Sequence, residues 1–133
     1  VKWAIQLPEP VEPRNNGAAA NFMNAFQRGN RATQFRSQAG SIVQHLYLMN
    51  DPFVLNRIRV ASSPLLTAVS RLADNEAVAS EMFLLFLSRY PSEVEKGHAI
   101  GHLARATTTA ARNTAIEDLA WVLVNKAEFI FSY

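Results

Sequence analysis

Ile116-Glu117-Asp118-Leu119-Ala120-Trp121-Val122-Leu123-Val124-Asn125-Lys126-Ala127-Glu128-Phe129-Ile130-Phe131-Ser132-Tyr133 closes the chain and decides its fold class. Apolar residues recur at Ile116, Leu119, Leu123 and Ile130, the three-to-four spacing of one helical face. Trp121, Val122, Val124 and Phe129 extend apolar character round most of the circumference, which predicts a helix central to a core. Glu117, Asp118, Asn125 and Glu128 are set into that helix, and polar groups on a buried helix need hydrogen-bond partners. These residues identify a domain better than they identify a reaction.

The helical period recurs upstream, punctuated by capping signals. Ala18 to Phe26 places Phe22 and Phe26 four apart. Arg28-Gly29-Asn30-Arg31 ends that pattern, and the polar run to Ser37 reads as irregular. Ser41, Ile42, Val43, Leu46, Leu48 and Met49 predict a helix that stops near Asn50. Asp51-Pro52 restarts the chain, with Asp51 as N-cap and Pro52 at the first helical position. Phe53, Val54, Ile58 and Val60 supply the apolar side of this helix. Ser63-Pro64 repeats the punctuation before Leu65, Leu66, Val69 and Leu72. Asp74-Asn75-Glu76 opens a long helix through Leu87 that closes at Arg89-Tyr90-Pro91. Ser92 and Glu95 have the spacing of a capping box, and their helix is expected to reach about Ala106. Asn113 or Thr114 is expected to cap the last helix. Valine and threonine never alternate over a strand-length stretch bounded by turns. The expectation is an all-α, compact bundle of about six or seven helices, with no sheet. Residues 1–16, with Pro8, Pro10 and Pro13, read as an arm or linker that Trp3 and Ile5 anchor; residues 17–133 read as one helical domain.

Composition narrows the partners. The 133 residues are 49% hydrophobic and 18% charged, and 13 basic against 11 acidic residues leave a net charge of +2. So small a net charge offers little attraction for nucleic acid or anionic lipid. The low charged fraction suggests surface that is covered in the intact molecule. No stretch approaches a membrane span, and the densest run, Met82 to Leu87, reads as a buried helix segment. Cysteine is absent, which excludes disulfides, thiolate zinc sites and covalent haem attachment within this sequence. The chain begins with Val1, and the expectation is an excised piece of a longer protein.

Few residues suggest chemistry. His98 and His102 lie four apart on a helix with Glu95 one turn earlier, which offers a zinc ion two imidazoles and a carboxylate. Ala99 stands where the zinc-protease pattern has its glutamate, so no general base is supplied. The competing reading makes all three ordinary surface residues. Arg36, Arg57, Arg59, Arg71, Arg89, Arg105 and Arg112 are scattered, and structural pairing with Glu117, Asp118 or Glu128 is the expected role for some of them. No nucleophile motif or phosphate-cradling glycine loop occurs. Adjacent Glu117 and Asp118 point about 100° apart on a helix, which favours helix stabilisation over paired-carboxylate chemistry.

The closing motif resembles that of a bacterial domain-of-unknown-function family, the C-terminal part of planctomycete-type cytochrome-associated proteins, whose motif reads E-D-L-x-W-x-L-x-N-x-x-E-F-x-F. Three further blocks are similar and in the same order. Phe22-Met23-Asn24-Ala25-Phe26, followed by Arg28 and Arg31, resembles one of them. Arg36-Ser37, Ser41, Gln44, Leu46 and Leu48-Met49-Asn50-Asp51-Pro52-Phe53-Val54 resemble the second, and Leu87-Ser88-Arg89-Tyr90-Pro91-Ser92 with Glu95 the third. The similarity spans about residues 22–133. Many members carry two cysteines before the Arg-Ser pair, where this chain has Ala32, Gln34 and Phe35, so no thiol or metal role carries over.

The resemblance implies an extracytoplasmic, exported bacterial protein with upstream partner domains, and it places any haem c upstream. It implies no reaction. The motif residues Arg36, Asn50, Asp51, Arg89, Glu117, Asp118, Trp121, Asn125 and Glu128 are expected to be architectural, with Arg36 or Arg89 pairing the polar groups of the last helix. Two functions follow: a helical packing or docking module that is not itself catalytic and exposes apolar surface, prone to self-association, where upstream sequence packs; or a wall of the active site of a larger enzyme or redox protein.

Overall fold

Short capping sequences divide the chain into helices in the computed structural model, which describes residues 17–26 and 42–130. Among these residues there are eight α-helices and two 3-10 turns, and no strand. They belong to two compact units, one ending at Val54 and the other beginning at Leu55.

In the first unit, α1 (Gly17–Ala25) and α2 (Ile42–Asn50) lie against each other. Phe22 stacks at 4.7 Å from Phe26 and 5.3 Å from Phe53, in tilted geometry favourable for aromatic rings. Asn50 ends α2 with its side-chain amide donating to the Leu46 carbonyl at 3.4 Å. The Asp51 carboxylate then accepts the N–H of Phe53 at 2.8 Å, and Pro52 opens α3 (Pro52–Leu55). Both residues act as the sequence indicates.

The helix expected from Pro52 onward is a single turn, followed by 3-10 turns at Asn56–Ile58 and Val60–Ser62. Ile58 and Val60 explain the difference. Residues two apart on an α-helix point about 200° away from each other, yet both are buried. Arg59 resolves the conflict by adopting an extended conformation between them, φ −86° and ψ 137°.

The second unit continues with α4 (Pro64–Ser70), α5 (Asn75–Leu87), α6 (Glu93–Leu103), α7 (Thr109–Val124) and α8 (Ala127–Ile130). Ser63 caps α4, Asp74 caps α5, and Ser92 with Glu95 forms the complete capping box of α6. The α6 helix ends at Leu103, three residues earlier than expected. The cap expected from Asn113 or Thr114 is Thr108 instead, whose hydroxyl accepts the Ala111 N–H at 3.1 Å. Ala110 and Ala111 are strong helix formers, so the helix begins a turn and a half sooner, and Thr114 bonds back to the Ala110 carbonyl from inside it.

The core of this unit is centred on α7, which packs against α4, α5, α6 and α8. Ile116, Ala120 and Leu123 of α7, Val78 and Met82 of α5 and Leu103 of α6 are all essentially excluded from solvent. The helix is not apolar-buried all round, however. Trp121 is 36%, Val122 50% and Phe129 41% exposed. The helical pattern also breaks at Asn125, where φ −89° and ψ 0° end α7 and the side-chain amide donates to the Trp121 carbonyl at 2.8 Å. The same carbonyl also accepts the backbone N–H of Asn125 at 3.2 Å, so both amides of Asn125 close the last turn. The Met82–Leu87 run splits likewise: Met82 and Phe83 are buried and Leu85 is 40% exposed. No described helix is long and apolar enough to cross a membrane.

Candidate functional site

Two features gather the polar residues of the second unit: an ion-pair hub at the junction of α5, α6 and α8, and a groove between α6 and α7. The hub begins with a turn. Ser88 adopts the left-handed conformation, φ 55°, as C-cap of α5, and delivers Arg89 to the space beside α6 and α8. All five guanidinium N–H groups find acceptors. Nε and Nη2 hold Glu128 at 2.5 and 2.8 Å, Nη1 and Nη2 hold Glu95 at 2.9 Å each, and Nη1 also reaches the Tyr90 carbonyl at 2.9 Å. Bidentate pairing of this kind combines charge with fixed geometry.

Glu95 has three obligations at once. It accepts the Ser92 N–H at 2.9 Å as part of the capping box, pairs with Arg89, and receives Lys126 Nζ. The Arg89 hydrogen bonds, with those of Lys126 and Ser92, hold its carboxyl well below the usual range despite partial burial. Arg89 also lowers Glu128, and the two carboxylates raise Arg89 further above its ordinary value. Below the hub, the Phe83 ring faces the Arg89 guanidinium at 5.4 Å and Lys126 Nζ at 5.7 Å. Such contacts add modestly to the pairing.

Of the closing helix's carboxylates, Glu128 has an expected partner and Glu117 and Asp118 have others. Arg89 pairs with Glu128 but not with Glu117 or Asp118. The Glu117 carboxylate accepts the backbone N–H of Val60 at 2.8 Å, while Asp118 is 58% exposed and faces His102 Nε2 at 3.4 Å. Arg36 lies outside the described residues. Arg112, one of the scattered arginines, binds the loop before α5 through Asn75 Oδ1 at 2.6 Å and the Leu72 carbonyl at 2.8 Å. Lys126 was not singled out in the sequence. Its pairing with Glu95 spans 31 residues and left no local signal.

The groove between α6 and α7 holds a cavity of about 300 Å³. Phe83, Ala99, Leu119, Val122 and Leu123 form its apolar lining; Glu95, His98, His102, Asp118 and Lys126 surround them. The helices run antiparallel, so His102 faces Asp118 at one end and Glu95 meets Lys126 at the other. Glu95, His98 and His102 thus share one cavity wall, as their spacing indicates. Glu95 is engaged by cations rather than turned toward the imidazoles. Among the described residues, no three His, Asp or Glu side chains converge in a way that would hold a metal ion. His102 Nε2 is shielded from solvent without a hydrogen bond, because its 3.4 Å approach to Asp118 is an ion-pair distance that lacks hydrogen-bond alignment.

No protein-family model, curated protein or solved structure matches this chain.

Proposed function

We propose that this chain is a helical packing module of a larger exported bacterial protein of the cytochrome-associated kind that its closing motif resembles. One observation carries the reading: the charged motif residues Arg89, Glu117 and Glu128 are directed at the chain's own framework. Arg89, Glu95 and Glu128 tie the end of α5 to the start of α6 and to α8, and Glu117 fixes the backbone at Val60. Side chains spent in this way hold helices in register and leave little for bond-making chemistry. Exposed Leu65, Val94 and Val122, each at least half accessible, supply apolar surface for neighbouring domains of the same protein.

Hydrogen exchange on this chain and on the same chain joined to its upstream sequence tests the proposal. Added protection at Leu65, Val94 or Val122 in the longer protein is the expected result. Identical exchange throughout, with the chain strictly monomeric, would overturn it.

A further inference from the structure

We propose that the α6–α7 cavity binds a small organic amine, with the ammonium group beside Asp118 and the apolar body over Ala99, Leu119 and Val122. The proposal is independent of the packing role.

Volume comes first. About 300 Å³ is roughly twice a cavity of about 150 Å³ that admits benzene, so an aryl or short alkyl chain fits with its polar head at the mouth. Ala99 creates the space. It is 4% exposed and sits on the α6 wall between His98 and His102, where a larger apolar residue would fill the groove. The lining then favours an apolar body, because Phe83, Leu119 and Leu123 form the floor.

Charge decides the head group. At one end Arg89 and Lys126 balance the two carboxylates of Glu95 and Glu128. At the other end Asp118 is 58% exposed and faces the His102 imidazole, and among the described residues it pairs with no lysine or arginine. The cavity therefore presents one under-compensated carboxylate at the α6 C-terminal end and a charge-balanced hub at the opposite end. An amine is drawn to the first, while the second has no free carboxylate to offer it, which fixes its orientation along the groove. The last turn of α6 adds to this, since its carbonyls carry partial negative charge. An anionic ligand of the same shape would place like charges together at Asp118, and at the other end Lys126 is already paired with Glu95.

Amide-resolved NMR titration with phenethylamine, and in parallel with hydrocinnamate as the carboxylate of matching shape, tests the assignment. Phenethylamine is expected to shift the Ala99, Leu119, Val122 and Leu123 amides. Hydrocinnamate should bind more weakly. Asp118→Asn, a change at an exposed position, should weaken the amine by about three- to fivefold, the size of a screened ion pair, and leave hydrocinnamate no weaker. Absence of shifts at these amides, equal binding of the two probes, or an amine affinity indifferent to Asp118→Asn would each overturn the proposal.

Discussion

Glu117 Oε1 accepts the backbone N–H of Val60 at 2.8 Å, joining residues 57 apart in the chain. The bond lies where regular structure fails. Arg59 is extended so that Ile58 and Val60 both face inward, and the N–H of Val60 has no helical acceptor behind it. A half-buried carboxylate on α7 takes its place. Glu117→Gln keeps an acceptor oxygen and should cost less than about 1 kcal/mol, whereas Glu117→Ala strands a buried donor and should cost about 1–3 kcal/mol. Chemical denaturation measures both. The Val60 amide should also lose exchange protection in the alanine variant ahead of the core amides of Met82 and Leu123.

Arg89 is the second joint. Its guanidinium is about a third exposed, as are Glu128 and Lys126, so solvent screens the hub. Arg89→Ala is expected to cost about 1–2 kcal/mol, between an exposed pair and a buried one. Arg89→Lys recovers only part of this, because an ammonium cannot hold two carboxylates bidentately.

Acid should weaken the same joint. Glu95 and Glu128 are lowered in the folded state by Arg89. A carboxyl depressed on folding contributes stability that is full above its unfolded value, about 4.3 for glutamate, and is lost as the pH falls toward the folded value. Wild-type stability is therefore expected to decline below about pH 5. Arg89→Ala should flatten that decline. Thermal melts of both proteins between neutral and strongly acidic pH check the difference, and parallel curves would contradict the assignment.

Local signals were legible where a few neighbouring residues sufficed to make them. Asp51, Ser63, Asp74 and the Ser92–Glu95 pair all cap as their positions indicate, because a cap is set by a few consecutive residues. Reading Thr114 as the last cap failed because Thr108 offers the same chemistry ahead of an alanine pair. The closing helix misled for another reason. Apolar residues all round its circumference imply burial only if neighbours cover every face, and Val122 is half exposed. The cavity wall of Glu95, His98 and His102 followed from helical spacing, but Asp118, Lys126 and Phe83 reach it by tertiary packing that spacing does not encode. Thr108→Ala should cost about 1 kcal/mol as a lost N-cap. Thr114→Ala removes a mid-helix hydroxyl that bonds to Ala110 and should be neutral or slightly stabilising, a contrast readable from paired denaturation curves.

Ser88 carries the one positive φ among the described non-glycine residues, 55° with ψ 25°. Left-handed backbone costs an L residue roughly 1–2 kcal/mol, which glycine avoids. Some of that gain is returned, because glycine gives the unfolded chain more freedom. Ser88 is exposed, and its backbone N–H serves as the C-cap donor to the Leu84 carbonyl at 3.1 Å, which glycine retains. Ser88→Gly is therefore expected to stabilise the protein by about 0.5–1 kcal/mol. Ser88→Val should do the reverse, since a β-branched side chain tolerates this region least. The turn also aims Arg89, so the valine variant should lose part of the acid-sensitive stability of the Glu95 and Glu128 pairs as well. Thermal unfolding at neutral and acidic pH separates the two effects. A glycine variant no more stable than wild type would show that the strain of the left-handed turn does not exceed the unfolded-chain freedom that glycine adds.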